Sequence, residues 1–424
     1  MSGGIIKKIY VKGKLTLVSP LIMSGGDDDV TDKDLIKNGA GEYIIPGTAA
    51  AGVIRHYLKE NHSSLPVDKV FGAEGDNQSM LVFYDSKINE IPVINVRDGV
   101  AIDGVTGTAL KSNKYNYQIL EPGNCFDFRI EFTIRDNSSV PGEEVLHSAI
   151  HALQKGQIFF GAKTSRGFGR VKLQDVKKLA LDFSNSNDKI NVAEELINFS
   201  WDNVSDDYTG ESNDNPGCAT TIEEAFKIPA SLLIRAYSKN PADSDAYHLH
   251  SAKGPVIPGT SWAGVLKHCA ENILQELNYG KPDILNALFG FVDEKTKEAK
   301  PSRIIIEESI IESAKDMKYM RNKIDRFTGG TVDTALFDEQ PVYGGKTTLK
   351  ISIKNAEDYE IGLVLLALKD IANGIQPLGG DSSIGRGILQ ADGKPKINGD
   401  EADDGKEEEY YKSLYQKLNG EANV

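Results

Sequence analysis

The stretch IPGTAAAGVIRH at residues 45–56 decides the fold, because it returns as IPGTSWAGVLKH at residues 257–268. In each copy Pro-Gly-Thr precedes a run with helical spacing of apolar residues, which predicts a helix start with Thr48 as the N-cap of the first copy. A repeat period of this length indicates two whole domains rather than a stack of short units.

Three further matches follow in the same order along the chain. They are VFG at 70–72 with LFG at 288–290, IDGVTG at 102–107 with IDRFTG at 324–329, and GAKTSRGFG at 161–169 with GGDSSIGRG at 379–387. The offset between copies changes little, so the two domains share one fold and differ by short loop insertions. A proposed function must therefore explain why the same motifs occur in both domains.

The hydrophobic pattern of each copy predicts an α+β fold with strands in pairs around two helices, as in the split β-α-β, ferredoxin-like arrangement. We predict a first repeat at 1–183, an acidic linker with one short helix at 184–227, a second repeat at 228–392 and an acidic low-complexity tail at 393–424. The first strand of the second repeat is predicted at 230–237.

The charge of the 424-residue chain is unevenly distributed. Its formal net charge is −14, but the linker carries −8 and the tail −3, so the two repeats are nearly neutral and either can carry a local basic face. No apolar run reaches the length of a membrane span, the N-terminus lacks signal-peptide features, and the three cysteines lack metal-ligand spacing. A cytoplasmic protein without a membrane partner is expected.

The glycine-rich loops have the pattern Gly-x-x-x-Ser-x-Gly-x-Gly. Glycines at this density let backbone amides approach a phosphate. The residues concerned are Ser165, Gly167 and Gly169 with Lys163, Arg166 and Arg170 in the first repeat, and Ser383, Gly385 and Gly387 with Arg386 in the second. The alternative is a tight turn that needs glycine only for its backbone dihedrals. Neither loop is a Walker A motif, since Gly-Lys-Ser/Thr is absent.

The Ile-Asp-x-x-Thr-Gly motif opens a long excursion in each repeat, which is typical of a functional arm or an insertion. Thr106 and Gly107 belong to the first copy, and Thr328 and Gly329 to the second. Basic residues accompany the arms and the repeated helices, namely Arg97, Arg321 and Arg326 on the arms and Arg55 and Lys267 on the helices. The alternative is a turn with solvated charges.

An acidic loop precedes each Pro-Gly-Thr. Asp27, Asp28, Asp29, Asp32 and Asp34 crowd the first copy, and Asp243 and Asp245 lie in the second. Such carboxylates can bind a divalent metal or assist proton transfer, although Asp-rich loops are often hydrated turns. His248 and His250 near Asp245 are expected to be exposed. The first repeat has no matching histidine, which argues against a common histidine mechanism.

With these four motifs in order, twice, the chain resembles the RAMP superfamily of CRISPR-associated proteins. It is most similar to the backbone subunits of type III effectors, in a tandem fusion like that of the type III-D form. The resemblance implies modified ferredoxin-like domains with protruding thumb arms that line up along a CRISPR RNA, together with other effector subunits. It also implies that the glycine loops and basic residues grip the guide, and that the thumbs flip bases.

In active family members a loop aspartate cleaves the guide-paired target RNA in a metal-dependent reaction, with Mg or Mn. Asp32 stands 14 residues before Pro46, and Asp245 stands 13 before Pro258, where the family carries this aspartate. The resemblance therefore implies Asp32 and Asp245 as catalytic and metal-holding residues, with Asp34 and Asp243 as rivals. Two alternatives remain open: an inert guide-binding scaffold, and a stand-alone CRISPR RNA-processing endoribonuclease.

Overall fold

The computed structural model describes residues 3–25, 31–73, 78–103, 108–136, 142–184, 189–211, 219–237, 244–293 and 296–420. It divides into two compact units. The first comprises Met1–Val96, Asn116–Thr164 and Phe168–Gly217, and the second comprises Arg97–Tyr115, Ser165–Gly167 and Cys218–Val424. In the described part of the chain, no helix is both long and apolar enough to cross a membrane.

The first thirteen elements run from Ile5 to Asp207. They are β1 (Ile5–Leu17), β2 (Ile44–Ile45), α1 (Gly47–Asn61), α2 (Val67–Phe71), β3 (Leu81–Phe83), β4 (Ser86–Ile88), β5 (Ile94–Ile102), β6 (Ala109–Leu120), β7 (Cys125–Arg135), α3 (Gly142–Lys155), β8 (Val171–Asp182), α4 (Lys189–Ile197) and β9 (Asp206–Asp207). Strands β5 and β6 pair with each other.

The sheet of the first unit has β1 at its centre, antiparallel to β7 on one side and to β8 on the other. Strands β3 and β4 pair with β7, and β9 extends the β8 edge. Successive side chains of β1 point to opposite faces. Ile9 and Val11 therefore enter a core that also contains Ile54 of α1 and Ile150 of α3, and the two helices lie on that face.

Helix α1 begins two residues earlier than the sequence predicts. It starts at Gly47 after Pro46, and no side chain of the N-cap residue forms a capping hydrogen bond. The Gly47 N–H instead donates to Asp85 Oδ1 at 2.8 Å. The prediction of Thr48 as the N-cap is wrong, because Asp85 from another segment supplies the acceptor.

The remaining elements run from Ala219 to Gly420. They are β10 (Ala219–Lys227), β11 (Ser231–Leu232), β12 (Arg235–Ala236), β13 (Ala246–His248), β14 (His250–Ser251), β15 (Gly254–Ile257), α5 (Gly259–Glu276), α6 (Asp283–Phe289), β16 (Phe291–Val292), β17 (Ala299–Lys300), β18 (Ile304–Ile306), β19 (Ser309–Ile310), β20 (Lys315–Asp316), β21 (Tyr319–Ile324), β22 (Thr331–Gln340), β23 (Val342–Tyr343), β24 (Lys346–Lys354), α7 (Asp358–Ala372), β25 (Gln390–Ala391), β26 (Lys396–Ile397), β27 (Asp400–Glu401) and α8 (Asp404–Gly420).

The sheet of the second unit repeats the order of the first, with β10 at its centre. Strand β10 pairs with β24 on one side and with β25 and β26 on the other, and β18 pairs with β24. Its core surrounds Trp262 of α5, whose indole N–H donates to Ser309 Oγ at 2.8 Å. The chain thus contains two α+β units, each with a central strand flanked in the same way.

Two segments differ from the sequence prediction. Strand β10 lies inside the predicted linker, whereas the predicted strand at 230–237 contains only the short β11 and β12. Thr220, Ile222 and Phe226 alternate inward along β10, but Glu224 occupies the inward position between Ile222 and Phe226 and disguises this pattern. The predicted low-complexity tail likewise supplies β26, β27 and α8, and α8 buries Leu414 in the core of the second unit.

Candidate functional site

Asp32 is exposed and is held against strand β6 by a reciprocal pair of hydrogen bonds. Its backbone N–H donates to Asn116 Oδ1 at 3.0 Å, and its Oδ2 accepts from the Asn116 N–H at 2.7 Å. The carboxylate is therefore oriented by a strand backbone rather than left to rotate in a loop.

Asp245 is held in the same way in the second unit. Its N–H donates to Asp338 Oδ1 at 2.7 Å, and its Oδ2 accepts from the N–H of Asp338, on β22, at 3.0 Å. Asp245 is also exposed. We call each of these reciprocal arrangements an aspartate clamp, formed by Asp32 with Asn116 and by Asp245 with Asp338.

The strand registers make Asp32 and Asp245 equivalent. Leu35, three residues after Asp32, bridges Ser24. His248, three residues after Asp245, pairs with Arg235 in the same manner. The two aspartates chosen from the sequence therefore occupy the same place in the two units.

The rival carboxylates are placed differently. Asp34 is half-buried, and its Oδ1 accepts the hydroxyl of Thr31. Asp243 and the three aspartates at 27–29 lie outside the described residues. Among the described candidates, Asp32 and Asp245 alone combine exposure with a clamp.

The two clamps differ in charge. Asp338 brings a second carboxylate to the second clamp, where the first has the Asn116 amide. Lys318 forms an ion pair with Asp338. The hydrogen bond from Lys318, and then that from the Asp245 N–H, lower the pKa of the Asp338 carboxyl.

His248 is a core residue, so the prediction that it is exposed is wrong. It is 0% exposed; its Nδ1 accepts from the Ile234 N–H at 3.2 Å, and its Nε2 lies 3.0 Å from the Val256 carbonyl oxygen, to which it donates. Burial, reinforced by neighbouring His250, lowers its pKa to about 4. A neutral imidazole with both nitrogens engaged does not act as an acid or base for a substrate.

The two glycine loops share one backbone conformation. Lys163 and Asp381 occupy the left-handed region at φ 57° and 61°. A Cβ on Gly169 would lie 1.8 Å from the Phe160 carbonyl oxygen, and one on Gly387 would lie 2.0 Å from that of Leu378. The lack of room for a Cβ explains why both positions are glycine, which agrees with the alternative of a tight turn. Contact of these loops with a phosphate stays a prediction.

Different side chains support the two glycine loops. In the first unit, the Lys163 ammonium lies 3.8 Å from the centroid of the Tyr117 ring, which meets Phe168 edge-on at 6.4 Å. Both rings are buried. We call Tyr117, Lys163 and Phe168 the aromatic trio.

In the second unit the equivalent positions carry Glu339, Asp381 and Arg386, which we call the ionic trio. Arg386 is 3% exposed, and its Nη1 lies 2.9 Å from Glu339 Oε2 and 2.7 Å from Asp381 Oδ2. The prediction of Arg386 as an RNA contact finds no support in this arrangement, because two carboxylates already occupy the guanidinium.

Most of the other basic side chains predicted to contact RNA also form ion pairs or hydrogen bonds within the protein. Arg55 pairs with Asp68 at 2.5 Å, Lys267 with Glu271 at 3.7 Å, Arg321 with Glu339 at 3.6 Å and Arg97 with Glu308, and the Nε of Arg170 donates to the Gly156 carbonyl at 3.0 Å. Burial lowers the pKa of Arg166. Arg326 is exposed. Ser165 and Ser383 lie in the 3-10 turns Thr164–Arg166 and Ser382–Ile384.

The second Ile-Asp-x-x-Thr-Gly motif forms the end of the β21–β22 hairpin. Asp325 Oδ1 accepts the N–H groups of Thr328 and Phe327 at 2.8 and 2.9 Å, which lowers the pKa of its carboxyl. Gly329 follows at φ 68°. The motif therefore builds a turn that leaves Phe327 100% exposed, a residue that the sequence reasoning missed. Thr106 and Gly107 of the first copy lie outside the described residues.

The comparisons with known proteins agree with the repeat. The sequence profile of the RAMP superfamily matches residues 14–172 and again residues 230–390. The chain belongs to the RAMP superfamily. It is also 23% identical over 211 residues to the CRISPR system Cms endoribonuclease Csm3 of Methanocaldococcus jannaschii, an alignment that covers 40% of this chain and 80% of that relative.

Proposed function

We propose that this RAMP protein is a CRISPR RNA-binding backbone subunit of a type III effector, with target-RNA cleavage sites at Asp32 and Asp245. The aspartate clamp carries this proposal, because the same exposed carboxylate is oriented in the same way in both units. The similarity to a relative named as an endoribonuclease supports it. The tandem, type III-D-like form fits a chain with two RAMP regions.

Each unit would be a modified ferredoxin-like domain. The order β3-β7-β1-β8 in the first and β18-β24-β10-β25 in the second supports this, since both run 2-3-1-4 through the main strands. The β5–β6 and β21–β22 hairpins would be the thumbs. Fully exposed Phe327 at the tip of the second hairpin has the size and flatness to wedge between stacked bases.

Base pairing with the guide would provide sequence recognition. The protein itself then needs only to contact the RNA backbone and to fit the shape of the duplex. Arg326 is an exposed cation beside the hairpin tip, and Lys163 and Arg166 flank the first glycine loop. These residues are our candidates for contacts with RNA phosphates.

Cleavage would use the ribose 2′-hydroxyl next to a flipped base as the nucleophile toward the adjacent phosphate. The new bond would give a 2′,3′-cyclic phosphate, while the bond to the 5′-oxygen of the next nucleotide breaks and that oxygen takes a proton from water. The clamp holds one oxygen of the Asp32 or Asp245 carboxylate on a strand N–H, which fixes the direction of the other. That oxygen can accept the 2′-hydroxyl proton. The clamp thus orients the carboxylate that acts as the general base before RNA binds.

A divalent cation, Mg or Mn, is the expected cofactor. In the described part of the chain, no group of three His, Cys, Asp or Glu side chains is placed to hold a metal. A single carboxylate, Asp32 or Asp245, fits Mg²⁺ as one of its few protein ligands when RNA phosphates and water complete the shell. When bound, the cation would stabilise negative charge on the attacked phosphate.

The test is target-RNA cleavage by the reconstituted guide complex with Asp32→Ala and Asp245→Ala combined. We expect loss of cleavage with guide binding unchanged. Asp34→Asn is the matched control, since it removes a nearby carboxylate outside the clamp, and it should cleave normally. Unchanged cleavage in the double variant would contradict the proposal and favour the inert scaffold.

A further inference from the structure

The outer face of the first unit's sheet is covered by the segment predicted as a linker. Tyr10 points away from the helices, on the opposite side of β1 from Ile9 and Val11. It is nevertheless 2% exposed, because it is packed in a separate small cluster with Leu181 and Val204. This side of the sheet is therefore a buried interface within the unit.

The cover meets the sheet with aromatic rings. The Phe199 ring stacks on Tyr10 with centroids 3.8 Å apart and planes 18° apart. Trp201 meets Tyr10 edge-on at 5.7 Å, and the Arg129 guanidinium lies 5.3 Å from the Trp201 ring. Tyr10 is thus a stacking platform, and Lys8 Nζ lies 5.0 Å from the centroid of its ring.

The cover also brings oxygen atoms to the cations of the sheet. Lys12 Nζ donates to the Trp201 carbonyl oxygen at 2.6 Å. Lys177 pairs with Asp207 at 2.6 Å. The residues between 199 and 207 carry the acidic side chains of Asp202, Asp206 and Asp207 and no basic one.

The cover therefore presents planar rings to Tyr10 and acceptor oxygens to the cations, and single-stranded RNA offers a protein the same two features in its bases and its phosphates. Sheet aromatics stack bases in RNA-recognition domains, and cations beside them follow the phosphates. We propose that Tyr10, Lys12, Arg129 and Lys177 form a single-stranded RNA-binding face, which the cover, residues 199–207, occupies in cis. RNA binds there when the cover lifts. This face is separate from the proposed cleavage sites.

The cover can lift without unfolding the unit. Helix α4, which leads into it, has no fully buried residue. The chain beyond it is anchored independently: Gln154 of α3 donates to the Tyr208 carbonyl at 3.2 Å and accepts from the Gly210 N–H at 2.9 Å. Release of the whole cover, residues 199–207 with the two-residue strand β9, therefore leaves Tyr208 and Gly210 in place.

The test measures binding of a fluorescent oligouridine of about ten nucleotides, within the range of single-strand site sizes, to the full chain by anisotropy. Phe199→Ala with Trp201→Ala removes the cover's rings and should tighten binding about tenfold, the scale of one base stack. Adding Lys12→Gln and Lys177→Gln, or Tyr10→Leu, should reverse the gain. Glu195→Gln, an exposed change on α4, is the control and should change nothing.

Two results would overturn the proposal: no gain in affinity on removing the rings, or a gain that persists after the Lys12 and Lys177 changes. A second measurement needs no cover variant. Saturating oligouridine should speed amide hydrogen exchange of the unaltered chain at residues 189–203 but not at Tyr208. Unchanged exchange at residues 189–203 would contradict displacement.

Discussion

In the first unit the glycine loop rests on an aromatic ring with an ammonium over it, whereas in the second it rests on a buried arginine between two carboxylates. The loop backbones are alike, with Lys163 and Asp381 in the same left-handed conformation. Equivalent backbone positions thus have the same geometry, although a cation–ring contact supports one loop and ion pairs support the other. The two loops have the same shape, but we expect them to lose different amounts of stability when a supporting side chain is replaced.

The two kinds of support respond differently to substitution. A cation over an aromatic ring contributes about 0.5–2 kcal/mol. A buried ion pair adds little net stability, but removing one partner costs about 3–5 kcal/mol because the other charge stays buried without compensation. The ionic trio therefore makes the second loop the more sensitive of the two to loss of a side chain.

The largest effect is expected from Arg386→Leu. It removes the buried cation that Glu339 and Asp381 share and leaves them the more exposed Arg235, which lies 3.3 Å from Glu339 and 2.7 Å from Asp381. The free energy of unfolding of the second unit should fall by about 3 kcal/mol, the lower end of the cost of a buried charge that loses its partner. Phe168→Leu, the matched change in the first unit, should cost about 1 kcal/mol. Urea unfolding in a Trp201→Phe background leaves Trp262 to report on the second unit, and circular dichroism follows the first.

The comparison can be sharpened by exchanging the trios. Arg235 lies 2.7 Å from Asp381, so the exchange includes Arg235→Ser, which copies Ser24 at the same place in the first unit. With that change, Glu339→Tyr, Asp381→Lys and Arg386→Phe together install the aromatic trio in the second unit and should recover much of the stability lost in Arg386→Leu. If Arg386→Leu proved as mild as Phe168→Leu, the ion pairs would not support the loop.

The clamps give an intermediate effect. Asp338→Ala removes the acceptor for the Asp245 N–H, and Asn116→Ala does the same for Asp32. Loss of such a hydrogen bond, worth about 0.5–1.5 kcal/mol, should slow cleavage at the affected site about 3- to 10-fold with guide binding intact. Asp338→Asn keeps the acceptor and should cleave normally. Equal loss in Asp338→Asn and Asp338→Ala would instead assign the effect to the charge.

The smallest expected effect concerns a buried carboxyl that is present in the central strand of the second unit and absent from that of the first. Glu224 of β10 occupies the position of Gly13 in β1, and burial, then neighbouring Glu407, raises the pKa of its carboxyl from 4.5 to about 7. The folded state holds this proton more tightly than the unfolded state, so stability of the second unit falls as pH rises from about 4.5 to about 7.

Glu224→Gln should therefore raise the Tm of the second unit by about 2–4 °C above pH 7 and flatten its pH dependence. Thermal unfolding followed by Trp262 fluorescence in the Trp201→Phe background across this pH range measures both. The first unit, with glycine at this position, should show no change. Parallel curves for Glu224→Gln and the parent chain would contradict the assignment.

Much of the fold was predictable because the repeat and the amphipathic periods are local signals. The long strands β1, β7, β8 and β24 and the long helices follow their patterns. Strand β10 was not predicted because Glu224 stands at an inward position of its alternation, inside an acidic segment. Helix α8 was not predicted because its few apolar residues find their partners on α7, in another part of the sequence.

The candidate site was predictable only in part, for the same reason. The resemblance and the spacing from Pro-Gly pointed to Asp32 and Asp245, but their clamp partners lie 84 and 93 positions away along the chain. Nothing local marks Asn116 or Asp338 as a partner. Arg386 looked available because a sequence does not show that Glu339 and Asp381 fold onto it.

The most direct test of the account maps the cut positions on one target RNA in guide complexes that carry Asp32→Asn or Asp245→Asn singly. If the two units hold equivalent, independent sites, each substitution should remove one distinct product and leave the other at its normal rate. Loss of all products in either variant, or of none in both, would contradict two equivalent cleavage sites.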